Sequence, residues 1–258
     1  MLSRFLQPLK PTLPPGQRVY AVGDIHGRID LLDELIAMLQ ADNANRDHAD
    51  TLLIFLGDLI DRGAASREVV TRVRTGIDWA KTITLMGNHE AVMLNILDGQ
   101  TEMLDQWLRF GGIETLKSWG VPGRLVEEGT RQDLLNALRE AVTPEERAWL
   151  GRMRTSLRVG DYYFVHAGVR PAIPLDKQID DDRLWIREEF LDSRKKHGAM
   201  IVHGHSISHD VEQRPNRIGL DTGAYITGKL TAIGLQGRDR WFLSTAGEAV
   251  SSDMPQAY

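Results

Sequence analysis

Three short apolar runs, Arg18 to Val22, Leu52 to Leu56 and Ile83 to Met86, recur at intervals of roughly thirty residues, and each ends in a polar phrase that glycine opens. The phrases are Gly23-Asp24-Ile25-His26-Gly27, Gly57-Asp58-Leu59-Ile60-Asp61-Arg62-Gly63 and Gly87-Asn88-His89-Glu90. Helical spacing follows each one: Ile29, Leu32, Leu35, Ile36 and Leu39 after the first, Val69, Val70 and Val73 after the second, and a helix from about Glu90 to Leu97 after the third. Strands alternating with helices predict an α/β fold with a parallel sheet core and right-handed crossovers. The ends of such strands are where an α/β sheet presents chemistry to solvent, so three ends in register can converge on one place.

From Thr101 to Gly160 the strand signal lapses, and residues 101–160 read as a helical insertion within the domain. Its breaks fall at Gly111-Gly112, Gly120 to Gly123 and Thr143-Pro144, where Thr143 as N-cap, Pro144 and Glu146 spell a capping box. Strand-like runs then return at Tyr162 to Val165, Met200 to Val202, Arg217 to Leu220, Leu230 to Leu235 and Trp241 to Ser244. Short turns between them predict antiparallel pairing late in the chain. Nothing resembles a flexible linker, so residues 1–258 read as a single domain, a mixed α/β sandwich with its chemistry at loops on one edge. Residues 1–16, with Pro8, Pro11, Pro14 and Pro15, read as an extended arm rather than a signal peptide or anchor.

Cysteine is absent, which excludes disulfides, thiolate metal sites and a cysteine-phosphate intermediate, and suits a reducing cytosol. The net charge of −5 comes from intermixed acids and bases; Arg194-Lys195-Lys196 is too short a cluster for a nucleic-acid footprint. No apolar stretch approaches the roughly 18 residues that span a bilayer. A soluble, cytoplasmic protein is expected.

Asp24 and His26 alternate with Ile25, so both polar side chains can face one way while Ile25 enters the core. Alone, the phrase is also compatible with an ordinary aspartate turn. Asp58 occupies the equivalent place after the next strand, and its two carboxylate oxygens could bridge two cations. Asp61 and Arg62 in the same loop could equally be a surface ion pair. Asn88 and His89 offer an amide oxygen and an imidazole in the same topological slot. Two further strand ends carry His166, in His166-Ala167-Gly168, and His203-Gly204-His205. Oxygen and imidazole donors without sulfur favour Mn2+, Fe or Zn2+, and two aspartates suit divalent ions at adjacent positions.

In this order the five phrases resemble the phosphoprotein phosphatase branch of the calcineurin-like metallophosphoesterases, particularly its bacterial and phage serine/threonine members, over Val19 to about Tyr225. The resemblance implies two stacked mixed β-sheets flanked by helices, an αββα sandwich. It implies two divalent metal ions, with Mn2+ expected and Fe or Zn2+ as other candidates: Asp24, His26 and Asp58 would hold the first, and Asp58, Asn88, His166 and His205 the second. Arg62 and, on a weaker Trp-x-Arg match, Arg187 would grip the phosphate beside Asn88. His89 paired with Asp61 would protonate the leaving group while a hydroxide held by the two metals attacks phosphorus in line. His203 is left over, as packing or outer support. The implied activity is a metal-dependent phosphomonoester hydrolase acting on phosphoserine or phosphothreonine in proteins. The alternatives are a dinucleoside polyphosphate hydrolase, for which Trp107, Phe110 and Trp119 could wall a groove although aromatics at such spacing are more often core, and an inactive metal-binding scaffold.

Overall fold

The computed structural model describes residues 10–247. Two five-stranded sheets stack face to face. The first contains β1 (Gln17–Val22), β2 (Asp50–Phe55), β3 (Lys81–Thr84), β9 (Thr231–Gln236) and β10 (Asp239–Ser244) in the order β10-β9-β1-β2-β3. The second contains β4 (Ser156–Val159), β5 (Tyr162–Val165), β6 (Met200–His203), β7 (Glu212–Gln213) and β8 (Arg217–Gly219) in the order β4-β5-β6-β8-β7.

The apolar runs are continuous because both faces of the inner strands are covered. On β1, Tyr20 and Val22 face the helices, while Val19 and Ala21 face the second sheet. On β5, Tyr162 and Phe164 enter the space between the sheets, and Tyr163 and Val165 pack outward against Ile186 and Phe190. Helices α1 (Ile29–Ala44), α2 (Ser66–Thr75) and α3 (Asn88–Leu97) follow the first three strands. Strands β1, β2 and β3 run parallel, as the strand–helix alternation predicts. This is the expected sandwich of two sheets between helical layers.

Three expectations are corrected. The helical stretch comprises α4 (Leu104–Trp107), α5 (Ile113–Ser118), α6 (Gly123–Glu128), α7 (Arg131–Ala141) and α8 (Pro144–Leu150), so it ends before residue 160. Strand β4 lies inside the expected 101–160 block; it is a short, mostly half-exposed edge strand, and only its antiparallel pairing with β5 defines it. Late pairing is not uniformly antiparallel, because β5, β6 and β8 are mutually parallel. Their connections are long enough for crossovers, whereas β9 and β10 form a tight antiparallel hairpin. The third correction concerns α3, which begins at Asn88 itself, so Asn88 and His89 sit on its first turn rather than in a preceding loop.

The predicted capping box at α8 is present: Thr143 accepts from the Glu146 N–H and Glu146 accepts from the Thr143 N–H, at 3.2 and 2.9 Å. Of the expected arm, residues 1–9 lie outside the described residues. Its remainder is tied down, with the Leu13 N–H on the Gly237 carbonyl at 2.8 Å and the Leu13 side chain buried between the sheets.

Candidate metal centre and active site

The loops that leave β1, β2 and β6 turn sharply, and non-glycine residues take the strain. Among the described residues, six that are not glycine have positive φ, and five of them are His26 (47°), Asp58 (50°), Asp61 (71°), Arg62 (69°) and His205 (63°). Each such residue costs of order 1–3 kcal/mol and persists only where its surroundings over-determine it. Side chains that merely capped turns would give these positions to glycine or asparagine. Here the left-handed backbone aims five polar side chains at one point.

Asp58 is at the centre. Its Oδ2 lies 3.5 Å from His26 Nε2 and its Oδ1 lies 3.4 Å from His166 Nε2, so its two oxygens face opposite imidazoles. His26, Asp58 and His89 form one potential metal-binding group, and Asp58, His166 and His205 a second, with Asp58 common to both. Asn88 Oδ1 stands 2.9 Å from His166 Nε2 and 3.0 Å from His205 Nδ1, completing the second group. Asp24 is buried beside the first group and accepts the His205 N–H on both oxygens, at 3.2 and 3.0 Å. Ile25 between Asp24 and His26 is fully buried in the core, as the alternation predicts.

The donor set fits two divalent ions. His26 Nδ1 and His166 Nδ1 face the carbonyls of Ile60 and Leu56 at 2.7 and 3.0 Å, which makes Nδ1 the protonated nitrogen and leaves Nε2 free to donate a lone pair. His205 Nε2 is buried without a partner. Burial holds the pKa of His26, His166 and His205 below that of free histidine, so the neutral, ligating form prevails. Burial works against the Asp58 anion too, but the surrounding imidazoles win and hold its pKa well below the usual carboxylate range. Burial, with the neighbouring Asp221 and Asp58 charges, pushes Asp24 well up; burial also pushes Asp221 up to about 6. Crowded buried carboxylates of this kind are relieved by a cation.

His89 Nδ1 bonds Asp61 Oδ2 at 2.6 Å, and its Nε2 lies 3.3 Å from Arg62 Nη2. Burial would depress His89, but the Asp58 and Asp61 carboxylates prevail and its pKa is raised. A cavity of about 370 Å³ opens over these groups. Its lining combines polar groups, among them Asp58, Arg62, Asn88, His89, Arg187 and His205, with apolar ones, among them Met103, Trp107, Phe110 and Trp185. All ten residues expected to ligate, bind phosphate or support the acid therefore gather at one edge of the sandwich: six line the cavity, and Asp24, His26, Asp61 and His166 are buried beside them.

The three aromatics weighed as groove wall or core divide between the two. Trp107 and Phe110 line the cavity, but Trp119 is buried in the helical core with its Nε1 on Glu146 Oε2 at 3.3 Å. His203 packs edge-on against Phe190 and touches no ligand pair, and burial lowers its pKa to about 4. Several participants escaped the sequence reading. Glu90 accepts four backbone N–H groups, those of Gly87, Asp58, Leu59 and Ile60. The Gly-x-x-Glu spacing of a capping box was its available signal. Tyr225 stacks under the Arg62 guanidinium at 4.6 Å, and no local pattern marks it.

A carboxylate shared by two imidazole groups, at the edge of a helix-flanked double sheet, is the layout of a two-metal hydrolytic centre. A family model described as calcineurin-like phosphoesterase matches residues 17–230, and the chain belongs to that family, whose members use a dinuclear divalent metal centre. It is a hydrolase of phosphoric esters. It is similar to "Serine/threonine-protein phosphatase 2" of Salmonella typhimurium, 30% identical over 223 residues that cover 83% of this chain and 91% of the relative. It is also similar to the symmetrical bis(5'-nucleosyl)-tetraphosphatase of Methylococcus capsulatus, 30% identical over 154 residues, or 60% of this chain and 44% of that one. Among solved structures, a putative diadenosine tetraphosphatase shares the fold with a TM-score of 0.60 at 20% identity, covering 92% of this chain and 98% of its own. No helix among the described residues is long and apolar enough to cross a membrane.

Proposed function

We propose that the chain hydrolyses phosphate monoesters of serine or threonine side chains in phosphorylated proteins. The observation that carries this reading is the buried His89–Asp61 pair at 2.6 Å beside the metal-ligand groups. An alkoxide is a strongly basic leaving group that must be protonated as it departs, whereas the phosphate released from a polyphosphate anhydride leaves readily unaided. An acid held in place is therefore of most use to an alkyl ester. The match to the Salmonella phosphatase over 83% of this chain and 91% of that one supports the same reading.

Asp24, His26 and Asp58 would hold one metal, and Asp58, Asn88, His166 and His205 the other, with Mn2+ the ion that suits oxygen and imidazole donors without sulfur. When bound, the two ions supply Lewis acidity and make water a nucleophile at neutral pH. Arg62 and Arg187 bind the nonbridging phosphate oxygens through charge-assisted hydrogen bonds, and Tyr225 steadies the Arg62 guanidinium from below. His89 gives its Nε2 proton to the departing oxygen, and Asp61 fixes the ring through Nδ1. A cytosolic setting suits a chain without cysteine.

One observation favours a second reading. Trp107, Phe110 and Trp185 line the cavity and could stack a nucleobase, as a dinucleoside polyphosphate would require. The deciding measurement is kcat/KM of the Mn2+-loaded protein, with a chelator control, on phosphoserine, phosphothreonine and phosphotyrosine peptides against diadenosine tetraphosphate. Phosphoserine or phosphothreonine peptides are expected to lead; a clear lead for the tetraphosphate would overturn the proposal in favour of the second reading.

A further inference from the structure

Asp61 is fully buried and gathers more donors than its partnership with His89 requires. Its Oδ2 accepts from His89 Nδ1 at 2.6 Å and from Trp107 Nε1 at 2.9 Å. Its Oδ1 accepts from Thr115 Oγ1 at 2.5 Å, and its own N–H donates back to Thr115 Oγ1 at 2.9 Å. Trp107 and Thr115 sit on α4 and α5, on either side of a kink at Phe110 (φ −94°, ψ 16°) and Gly111 (φ 112°, ψ 2°). At that kink the Gly111 carbonyl accepts the Arg62 N–H at 3.2 Å. The kinked segment thus grips both members of the left-handed Asp61-Arg62 turn, at side chain and main chain alike.

We propose that Trp107 and Thr115 are positioning residues for proton donation: by holding both oxygens of Asp61, they fix the plane in which His89 presents Nε2 to the leaving group. This rests on His89 being the acid. Without the Trp107 and Thr115 donors, the Asp61 carboxylate is free to rotate about its Cβ–Cγ bond, and the His89 ring turns with it. The helical stretch is then part of the acid machinery rather than a lid added to a finished site. No atom of Trp107 or Thr115 has to exchange a proton with substrate for this role.

A positioning role predicts that the damage depends on the leaving group. Trp107→Phe removes the N–H and keeps an aromatic ring; Thr115→Val removes the hydroxyl and keeps the shape; Thr115→Ser keeps the hydroxyl. Each is assayed as the Mn2+-loaded full chain on a phosphoserine peptide and on p-nitrophenyl phosphate, whose leaving group needs little protonation. Thermal melting and metal content are measured alongside. On phosphoserine, kcat should fall on the order of 10-fold in Trp107→Phe and Thr115→Val, several times more than on p-nitrophenyl phosphate, with Thr115→Ser close to the parent. In the double variant His89→Asn/Trp107→Phe, phosphoserine turnover should equal that of His89→Asn alone, because there is no acid left to position.

Equal losses on both substrates, or a double variant that falls below His89→Asn by the full Trp107→Phe factor, would overturn the positioning role. If His89→Asn itself keeps full activity on phosphoserine, the acid assignment fails instead, so the two ideas fail separately. Should Thr115→Val not fold, Trp107→Phe and its double variant decide the matter.

Discussion

Replacing Glu90 by Gln tests whether a carboxylate that touches no metal ligand's donor atom nevertheless builds the site. In the parent, Oε2 accepts the N–H groups of Asp58 (2.9 Å) and Gly87 (3.0 Å), and Oε1 accepts those of Leu59 (2.8 Å) and Ile60 (3.1 Å). Four donors converge on two oxygens, which only a carboxylate can satisfy. The amide of glutamine keeps one oxygen and turns an NH2 toward the other pair, leaving two buried N–H groups opposed by donors. At about 1–3 kcal/mol for each unsatisfied buried donor, the cost is about 2–6 kcal/mol. That cost falls on the turn that holds Asp58 at φ 50°, so metal affinity should weaken by roughly 10- to 100-fold as well. Burial and the neighbouring Asp58 charge push the Glu90 carboxyl up to about 7, while the donors pull it back toward the anion. Urea denaturation of metal-free protein at pH 8, where the anion predominates, measures the stability term, and Mn2+ titration by calorimetry measures the second. A loss below about 1 kcal/mol with unchanged Mn2+ affinity would refute the reasoning, since it would mean that water or a shifted loop satisfies the donors as well as the carboxylate does.

Gly111→Ala should disable the clamp on the Asp61-Arg62 turn, because a Cβ there would lie 2.4 Å from Arg62 N at a φ of 112°; a loss of about 1–3 kcal/mol and a raised KM for phosphate esters are expected from melting and steady-state kinetics. In metal-free protein the Asp58 and Asp61 carboxylates outweigh burial and raise the pKa of His89, so its protonated form persists above the ordinary 6.5. The charged His89 then stabilises the metal-free fold fully below pH 6.5, and this contribution is lost as pH rises through the raised value; His89→Asn should remove that dependence in urea titrations. Chelation should abolish turnover and expose the cost of the buried acids. Asp221, raised from 3.8 to about 6, binds its proton more tightly when folded, so metal-free protein should lose stability as pH rises from about 4 to 6, and Asp221→Asn should flatten that slope in urea titrations.

Much of the architecture is written in local pattern. The alternation of apolar runs with helical spacing sufficed for β1, β2 and β3 with their helices, because a strand buried on both faces and a helix buried on one differ in period whatever they pack against. The site phrases were legible for a related reason. Asp24, His26, Asp58 and Asn88 stand just past the ends of β1, β2 and β3, and His166 and His205 just past those of β5 and β6, so linear position brings each set to one end of its own sheet, and stacking the two sheets joins them. The Thr143 capping box is local chemistry, and it appears where the sequence places it.

What the tertiary structure alone decided are the relations between distant segments. Strand β4 exists because β5 offers an edge, not because Ser156 to Val159 insists on being extended. Trp107 and Trp119 are twelve positions apart in the same helical stretch, and nothing in their spacing says that one donates to Asp61 and the other to Glu146. The left-handed backbones at His26, Asp58, Asp61, Arg62 and His205 run against residue preference, and only the surrounding contacts hold them. Periodicity and strand ends report what a residue does with its near neighbours along the chain. Hydrogen bonds that bridge some thirty to fifty residues, as Glu90 to Leu59 and Trp107 to Asp61 do, leave no trace in either, because their geometry comes into being only when the layers pack.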